Sequence, residues 1–293
     1  MSLLYYSPLR YPGGKGKLEP FMEYMIKRLE HQGGTYIEPF AGGAAVALGL
    51  LEKDLVSTIV INDYDKGIYS FWRAILNETD RFVEKIRCTP VTMKEWVHQR
   101  NICLTSKDKY SFELGFATFY MNRTNRSGII KGGVIGGKEQ QGKWRLDARF
   151  NKDDLIKRIV SVADKKQRIY LYNKDIESFI KKYAPKFYDN ALIYFDPPYF
   201  GKGNQLYMNY FKYSDHLRIE KLIKEHVDCD WIITYDDVPE IASIYKDHRI
   251  MRYDLNYSLA KKKRASEIIL FSENIIIPDN TELMNSGINL NLR

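Results

Sequence analysis

The fold is decided by one stretch of the chain, Ala191-Leu192-Ile193-Tyr194-Phe195-Asp196-Pro197-Pro198-Tyr199. Its first five residues are apolar or aromatic, which is typical of a strand that is covered on both faces. Such a strand delivers the polar residues that follow it to its C-terminal end, where open α/β sheets bind their ligands. The stretch therefore predicts a buried strand with a functional turn at its end.

Similar apolar runs, separated by helical patterns, lie on both sides of this stretch. The runs are Thr35–Phe40, Thr58–Ile61, Arg168–Leu171, Trp231–Thr234 and Ile268–Phe271. Helices are predicted at Ala44–Leu51, Asp65–Leu76 and Phe112–Tyr120. This alternation predicts an α/β fold, in which helices cover the faces of a sheet.

The net charge of the 293-residue chain is +8, and its distribution is more informative than its size. The segment from Met121 to Arg168 holds 13 Lys/Arg against 5 Asp/Glu, whereas the rest of the chain is balanced. Residues 124–151 are rich in glycine and polar residues, so we predict a long loop or hairpin-rich insertion there. A basic segment of this kind suits nucleic acid, although a solvated basic surface would have the same composition.

The composition also indicates where the protein works. No apolar run approaches the roughly 20 residues that a membrane span needs, and the N-terminus lacks the pattern of a secretory signal. The cysteines are far apart and in no metal spacing, which indicates reduced thiols. We expect a cytoplasmic protein with no membrane partner and no metal, and we expect the polar tail after Pro278 to be loosely held.

The turn from Asp196 to Tyr199 suits a planar group that carries an NH2. The Asp196 carboxylate and the Pro197 carbonyl can each accept one N–H hydrogen bond, and Tyr199 can stack on a ring. Two such acceptors would localise the lone pair of a conjugated amine, which could then attack an electrophilic methyl group directly. The same residues could instead form a stiff turn in which Asp196 only caps a helix.

Four motifs make the sequence resemble the Dam-type (D12 class) DNA adenine-N6 methyltransferases, in that family's order. They are Leu9-Arg10-Tyr11-Pro12-Gly13-Gly14-Lys15, Glu38-Pro39-Phe40-Ala41-Gly42-Gly43, Ile61-Asn62-Asp63 and Asp196-Pro197-Pro198-Tyr199. The resemblance runs from about Leu9 to Phe271. It implies a Rossmann-like S-adenosylmethionine-dependent methyltransferase sheet with helices on both faces. It also implies methyl transfer to adenine N6 in duplex DNA by base flipping and direct transfer.

The resemblance assigns Asp196, Pro197 and Tyr199 to catalysis and a second set of residues to S-adenosylmethionine. The second set is Tyr11, Lys15, Phe40, Gly42, Asp63, Asp175, Ile176 and Asp196. Asp63 follows the Gly-rich loop by about 20 residues at a strand end, the usual place for an acid that binds ribose hydroxyls. Asp175 would accept from the adenine amine of the cofactor, although a helix N-cap is an equally good role for it. Ala44 replaces a glycine that is usual in the family, which predicts a slightly different loop.

The basic insertion is where we expect the DNA contacts. Its beginning, Met121-Asn122-Arg123-Thr124-Asn125-Arg126-Ser127-Gly128, resembles the start of the family's target-recognition region. Residues 131–152 depart from the best-known Dam-type hairpin, so no recognition sequence is predicted. Asn and Arg read adenine and guanine edges bidentately. The expected contacts, some to bases and others to phosphates, are Asn122, Arg123, Arg126, Lys143 and Arg145, with Lys261-Lys262-Lys263-Arg264 as a second candidate for phosphate.

The expected organisation is a discontinuous catalytic domain with an insertion. Residues 1–110 and 165–278 would form the catalytic domain, 111–164 the DNA target-recognition region and 279–293 a C-terminal tail. The expected partners are double-stranded DNA and a cognate restriction endonuclease, with the chain itself a monomer or weak dimer.

Three other functions are compatible with these residues. They are N4-cytosine transfer, RNA amino-methylation, and cofactor-sensing DNA binding without catalysis. The aspartate of the turn favours adenine, because the N4-cytosine class more often has serine there. The intact tetrapeptide argues against a non-catalytic protein. A dehydrogenase is the weakest alternative, because it leaves the tetrapeptide unexplained.

Overall fold

The computed structural model describes residues 6–10, 15–200, 211–256 and 264–293. Two predicted sites fall at least partly outside these ranges. Tyr11, which was predicted to bind the cofactor, lies outside the described residues, and so do Lys261, Lys262 and Lys263, which were predicted to contact phosphate.

A seven-stranded sheet forms the centre of the protein. Its strands are β1 (Thr35–Glu38), β2 (Thr58–Asn62), β3 (Ile169–Tyr172), β4 (Ala191–Phe195), β5 (Asp230–Asp236), β6 (Ile250–Asn256) and β7 (Arg264–Phe271). The spatial order is β3-β2-β1-β4-β5-β7-β6, and β7 is antiparallel to both of its neighbours. β1 pairs in parallel with β2 on one side and β4 on the other. The strand order therefore reverses between β1 and β4, where doubly wound sheets bind ligands.

The predicted strands are all present, but the sequence did not reveal β6. That strand lies at one edge of the sheet and mixes apolar residues with Arg252 and Asp254. It therefore has no continuous apolar run of the kind that marks a strand covered on both faces. The β4 prediction matches the observed bounds, and β1 ends at Glu38, two residues earlier than predicted, just before Pro39.

Helices cover both faces of the sheet. They are α1 (Glu19–Arg28), α2 (Ala45–Glu52), α3 (Lys66–Asn77), α4 (Thr79–Cys88), α5 (Met93–Thr105), α6 (Phe112–Thr124), α7 (Lys152–Asp164), α8 (Ile176–Ser178), α9 (Tyr213–His226), α10 (Pro239–Ile244) and α11 (Asn280–Asn285). Helices α1–α7 pack into the hydrophobic core on one face, and α9 and α10 pack into the core on the other. Among the described residues, none of the helices combines the length and apolar character that crossing a membrane requires.

Helices α6 and α7, which lie within the predicted insertion, pack into the same core as α3. Phe119 of α6 stacks on Phe71 of α3 with ring centroids 5.8 Å apart, and Leu155 of α7 is fully buried in that core. Between the two helices, residues 125–151 form turns, with one antiparallel bridge from Asn125 to Val134. The core is thus continuous across residue 111, and the domain boundaries at 111 and 164 stay predictions.

The tail after Pro278 is packed against the protein, so the prediction that it is loosely held was wrong. Helix α11 begins with a reciprocal capping box between Asp279 and Glu282. The backbone of Arg293 exchanges two hydrogen bonds, of 2.7 and 2.8 Å, with that of Arg252 in β6. The prediction considered only the polar composition of the tail. It overlooked four apolar side chains that are buried in the core: Leu283, Ile288, Leu290 and Leu292.

Candidate active site

Asp196 lies directly after β4, at the C-terminal edge of the sheet where the strand order reverses between β1 and β4. We call this region the crevice, because doubly wound sheets bind ligands at such a point. Its Oδ1 accepts a hydrogen bond of 3.2 Å from the Thr234 hydroxyl of β5, and the Lys15 ammonium lies 3.7 Å from the same oxygen. Burial raises the pKa of Asp196 to about 6, while Lys15 opposes the rise and Glu267 adds to it. Because its side chain is still 24% exposed, Asp196 can accept a hydrogen bond from a ligand in the crevice.

Lys15 joins the N-terminal motif to the turn after β4. Its ammonium lies 2.6 Å from Glu267 Oε2, contacts the Tyr199 hydroxyl, and lies 4.6 Å from the centroid of the Tyr199 ring. Lys15 is buried, so this charge is compensated by protein carboxylates. The structure places the Lys15 ammonium among Asp196, Tyr199 and Glu267. Its assignment to the cofactor stays a prediction.

Glu267 is the site residue that the sequence analysis missed. It lies on β7, is only 1% exposed, and accepts a 2.6 Å hydrogen bond from the Tyr253 hydroxyl in addition to the one from Lys15. A buried carboxylate is costly unless it is paired and hydrogen-bonded. The sequence feature that could have identified Glu267 is a single glutamate next to the apolar run of the predicted strand, in Ala265-Ser266-Glu267-Ile268-Ile269-Leu270-Phe271.

The Gly-rich loop between β1 and α2 is held from two sides. The Gly42 N–H donates to Asp63 Oδ2 at 2.8 Å, and the Gly42 carbonyl accepts from the Trp72 indole at 2.9 Å. Burial raises the pKa of Asp63 to about 7. Ala44 has a φ of +46°, in the left-handed region that favours glycine. This conformation explains why a glycine is usual at that position in the family that the sequence resembles.

Two buried polar side chains fix the turns around the crevice. Glu38 accepts a hydrogen bond of 3.1 Å from the Ala47 N–H, and burial raises its pKa to about 8, so it is mostly protonated at neutral pH. Asn62 donates to the carbonyls of Pro39 and Lys174 at 3.0 and 3.1 Å. It therefore ties the turn after β1 to the turn after β3.

The remaining residues predicted to bind the cofactor lie at the same edge of the sheet. Asp175 is exposed and caps α8, since its Oδ1 accepts from the Ser178 N–H at 3.0 Å. Ile176 is the first residue of that helix. Phe40 is partly exposed, and its ring packs edge-on against Phe211 at 6.0 Å. The structure thus places Phe40, Gly42, Asp63, Asp175 and Ile176 at the C-terminal ends of β1, β2 and β3.

Asn122 and Arg123, which were predicted to contact DNA, lie inside the protein. Asn122 is fully buried, and its amide donates to the carbonyls of Arg10 and Gly128 at 2.6 and 2.9 Å while its oxygen accepts from the Arg10 N–H at 2.7 Å. Arg123 is 8% exposed and donates to the Arg149 carbonyl at 2.8 Å. These contacts favour a structural role for Asn122 over base recognition, because its hydrogen-bonding groups are already used.

Arg126, Lys143 and Arg145, the other predicted DNA contacts, are exposed on the insertion. Between the last two, the Trp144 ring is 65% exposed, and the Lys143 ammonium lies 5.9 Å from its centroid. This surface combines positive charge with an aromatic ring, which suits nucleic acid.

Comparisons with known proteins agree with the resemblance. Residues 11–259 match the sequence model of the D12 class N6 adenine-specific DNA methyltransferases. A curated relative is the Type II methyltransferase M.MjaIII of Methanocaldococcus jannaschii. It is 24% identical over an alignment of 236 residues, with coverage of 74% of this chain and 78% of the relative.

The solved structures that resemble this chain are distant. A provisionally assigned RNA methyltransferase from Pyrococcus horikoshii is 13% identical, with a TM-score of 0.44 and coverage of 92% of this chain and 89% of that one. An rRNA methyltransferase from Streptomyces viridochromogenes is 11% identical, with a TM-score of 0.36 and coverage of 92% and 87%. At these TM-scores neither structure is a guide to function.

Proposed function

We propose a mechanism from the premise that this chain belongs to the D12 class of N6 adenine-specific DNA methyltransferases. The chain is therefore an enzyme that transfers a methyl group from S-adenosylmethionine to adenine N6 in DNA. Its sheet is a Rossmann-like sheet with helices on both faces. The residue roles, base flipping and direct transfer are our proposal.

The residues at the C-terminal ends of β1, β2 and β3 fit S-adenosylmethionine. When bound, that cofactor supplies a methyl group on a positively charged sulfur. Asp63 is positioned by Gly42 and retains lone pairs for ribose hydroxyls. Phe40 offers a partly exposed ring, and Asp175 an exposed carboxylate for an adenine amine. We propose that these residues, with the Ile176 N–H, hold the cofactor.

Asp196 and Pro197 would hold the target amine. Thr234 orients the Asp196 carboxylate, which is largely ionised above a pH of about 6 and then accepts an N–H hydrogen bond. The Pro197 carbonyl would accept the second N–H, and Tyr199, held at its hydroxyl by Lys15, would stack on the base. Bound S-adenosylmethionine would supply an electrophilic methyl group to N6, and the Asp196 carboxylate would accept the proton that N6 then loses. Positioning and electrostatics supply the rate enhancement.

An adenine inside a duplex cannot reach this crevice. We therefore propose that the base is rotated out of the helix before the transfer. The exposed basic and aromatic surface of Arg126, Lys143, Trp144 and Arg145 would contact the DNA around it.

The biological setting is also proposed. The relative M.MjaIII is a Type II methyltransferase, which supports a restriction–modification role with a cognate endonuclease in the cytoplasm. A monomer or weak dimer stays our prediction for the assembly.

The observation that carries the mechanism is a partly exposed Asp196, held by Thr234 at the mouth of β4. The test compares Asp196→Asn with Asp189→Asn, which changes an exposed aspartate just before the same strand. With labelled cofactor, Asp196→Asn should lower kcat by about a thousandfold, with cofactor affinity changed only a few-fold, and Asp189→Asn should behave as wild type. Retained turnover in Asp196→Asn contradicts the mechanism. Mass spectrometry of the product that showed N4-methylcytosine would contradict the base assignment.

A further inference from the structure

Four arginine side chains converge where the N-terminal segment meets α6 and α7. We call Arg10, Arg123, Arg149 and Arg158 the arginine cluster. Arg123 donates to the Arg149 carbonyl at 2.8 Å, which ties the end of α6 to the end of the insertion. Arg10 and Arg149 interact electrostatically with Arg123, and so does Arg158 from the second turn of α7.

The hydrogen bonds of the arginine cluster go mainly to backbone carbonyls. Arg123 Nη1 donates to the Pro8 carbonyl at 3.5 Å, and Arg158 Nη1 donates to the Ser7 carbonyl at 3.3 Å. A carbonyl satisfies a donor but carries no net charge, so these contacts leave the positive charge of the guanidinium groups uncompensated.

The described residues supply one carboxylate to the arginine cluster. Asp154 lies 2.8 Å from Arg158 Nη2, so four positive charges face one negative charge. The like charges repel one another. Burial, followed by the effects of Arg10, Arg158 and Arg149, lowers the pKa of Arg123 to about 9. A folded protein keeps such an arrangement at a cost that a bound anion would remove.

Arg10 adds a donor that none of the described residues uses. Its Nη1 atom is shielded from solvent and has no hydrogen-bond partner among the described residues. Its backbone N–H and carbonyl are both held by Asn122, so the protein fixes the position of Arg10. A guanidinium on a fixed backbone, with an available donor beside other guanidinium groups, is suited to the oxygens of a phosphate.

We propose that the arginine cluster binds a backbone phosphate of the DNA substrate. The proposal rests on the proposed function, because it takes DNA as the partner. Arg149 is exposed and gives the phosphate access, whereas Arg123 lies behind it and is almost fully buried. A phosphate here would fix the duplex beside the insertion without reading its sequence.

The first test changes the exposed member of the cluster. Arg149→Gln removes one charge and keeps the backbone carbonyl that Arg123 uses. The matched control is Arg81→Gln, because Arg81 is exposed but already paired with Glu78 and Glu113 at 2.6 and 2.9 Å. Arg149→Gln should weaken duplex binding about tenfold. The slope of log affinity against log salt should become shallower by about 1.

Two results of this titration, and one of a methylation assay on the same protein, have distinct meanings. An equal loss on duplexes with and without the target site supports a phosphate contact, because phosphate carries no sequence information. Affinity and salt slope that match those of Arg81→Gln overturn the proposal. Wild-type protein that binds DNA through the cluster yet methylates no adenine would contradict the proposed function and leave the phosphate site standing.

A second test separates DNA from a free anion. The melting temperature of the wild-type protein is measured in inorganic phosphate and in chloride at equal ionic strength, and then again for Arg149→Gln and Arg158→Gln. Stabilisation by phosphate that both variants lose supports the site. If phosphate stabilises the wild type but neither variant changes duplex affinity, the site binds a free anion and the DNA assignment is wrong.

Discussion

The crevice around Asp196 and the arginine cluster both concentrate charge, but they balance it differently. In the crevice, the buried ammonium of Lys15 lies 2.6 Å from Glu267 and 3.7 Å from Asp196, so the protein supplies the opposing charges itself. In the arginine cluster the positive charges outnumber the carboxylates. If the two proposed roles are correct, the catalytic residues are held by opposing charges within the protein. The arginine cluster then keeps excess positive charge that the phosphate of the DNA balances.

The largest expected effect comes from breaking the balance in the crevice. Glu267→Gln leaves Lys15 without its closest carboxylate, so the free energy of unfolding should fall by about 3 kcal/mol, and kcat should fall with it. Because Glu267 raises the pKa of Asp196, the acid limb of kcat, expected near pH 6 in the wild type, should move to lower pH. Denaturant unfolding and a pH–rate profile measure the two effects.

Tyr253→Phe is the control for that variant. It removes only the hydroxyl that donates to Glu267 and keeps the carboxylate charge, so the acid limb should stay in place. An acid limb that does not move in Glu267→Gln would mean that Glu267 does not act on Asp196.

A variant of Asn122 tests the sequence-based prediction that this residue contacts DNA. Asn122→Ala leaves the Arg10 and Gly128 backbone groups without their buried partner, so we expect a loss of about 2 kcal/mol in unfolding free energy. Titration with duplex at a temperature where the variant is folded should show DNA affinity reduced less than in Arg149→Gln. Unchanged stability with a loss of sequence specificity would restore the base-reading role.

A substitution on the exposed insertion should affect DNA binding more than stability, the opposite of Asn122→Ala. Arg145→Gln should leave the unfolding free energy within about 0.5 kcal/mol of the wild type and weaken duplex binding a few-fold. Lys221→Gln on α9, also highly exposed, is the matched control. Equal affinities for these two variants would remove Arg145 from the interface.

The smallest effect is expected at the left-handed residue of the Gly-rich loop. Ala44→Gly relieves an unfavourable φ of +46° and should raise the unfolding free energy by up to about 1 kcal/mol. Ala45→Gly, at the first residue of α2, relieves no positive φ and should not raise the unfolding free energy. Chemical denaturation compares the two, and a loss in both variants would show that Ala44 is not strained.

The sequence predicted those features that depend on residues adjacent in the chain. An apolar run followed by Asp196 identifies both a strand and its functional end, and β4 has the predicted bounds. The sequence-based predictions failed where the burial of a side chain depends on residues that are distant in the chain. Asn122 belongs to the basic segment that was predicted to contact DNA, yet its amide is used by Arg10, 112 residues away.

Glu267 and β6, which the sequence analysis did not predict, also depend on how distant segments assemble. Glu267 becomes important only because the sheet brings β7 opposite Lys15, 252 residues earlier in the chain. The strand β6 escaped detection because a strand at the edge of a sheet does not need a continuous apolar run.

The pairing of the C-terminal residue with β6 has a consequence for solubility. The edge of a sheet presents unpaired backbone groups onto which another chain can add a strand. Through its two hydrogen bonds with Arg252, Arg293 occupies part of that edge. Deletion of residues 279–293 should therefore favour intermolecular strand addition and aggregation, even though those residues lie outside the crevice in which methyl transfer is proposed.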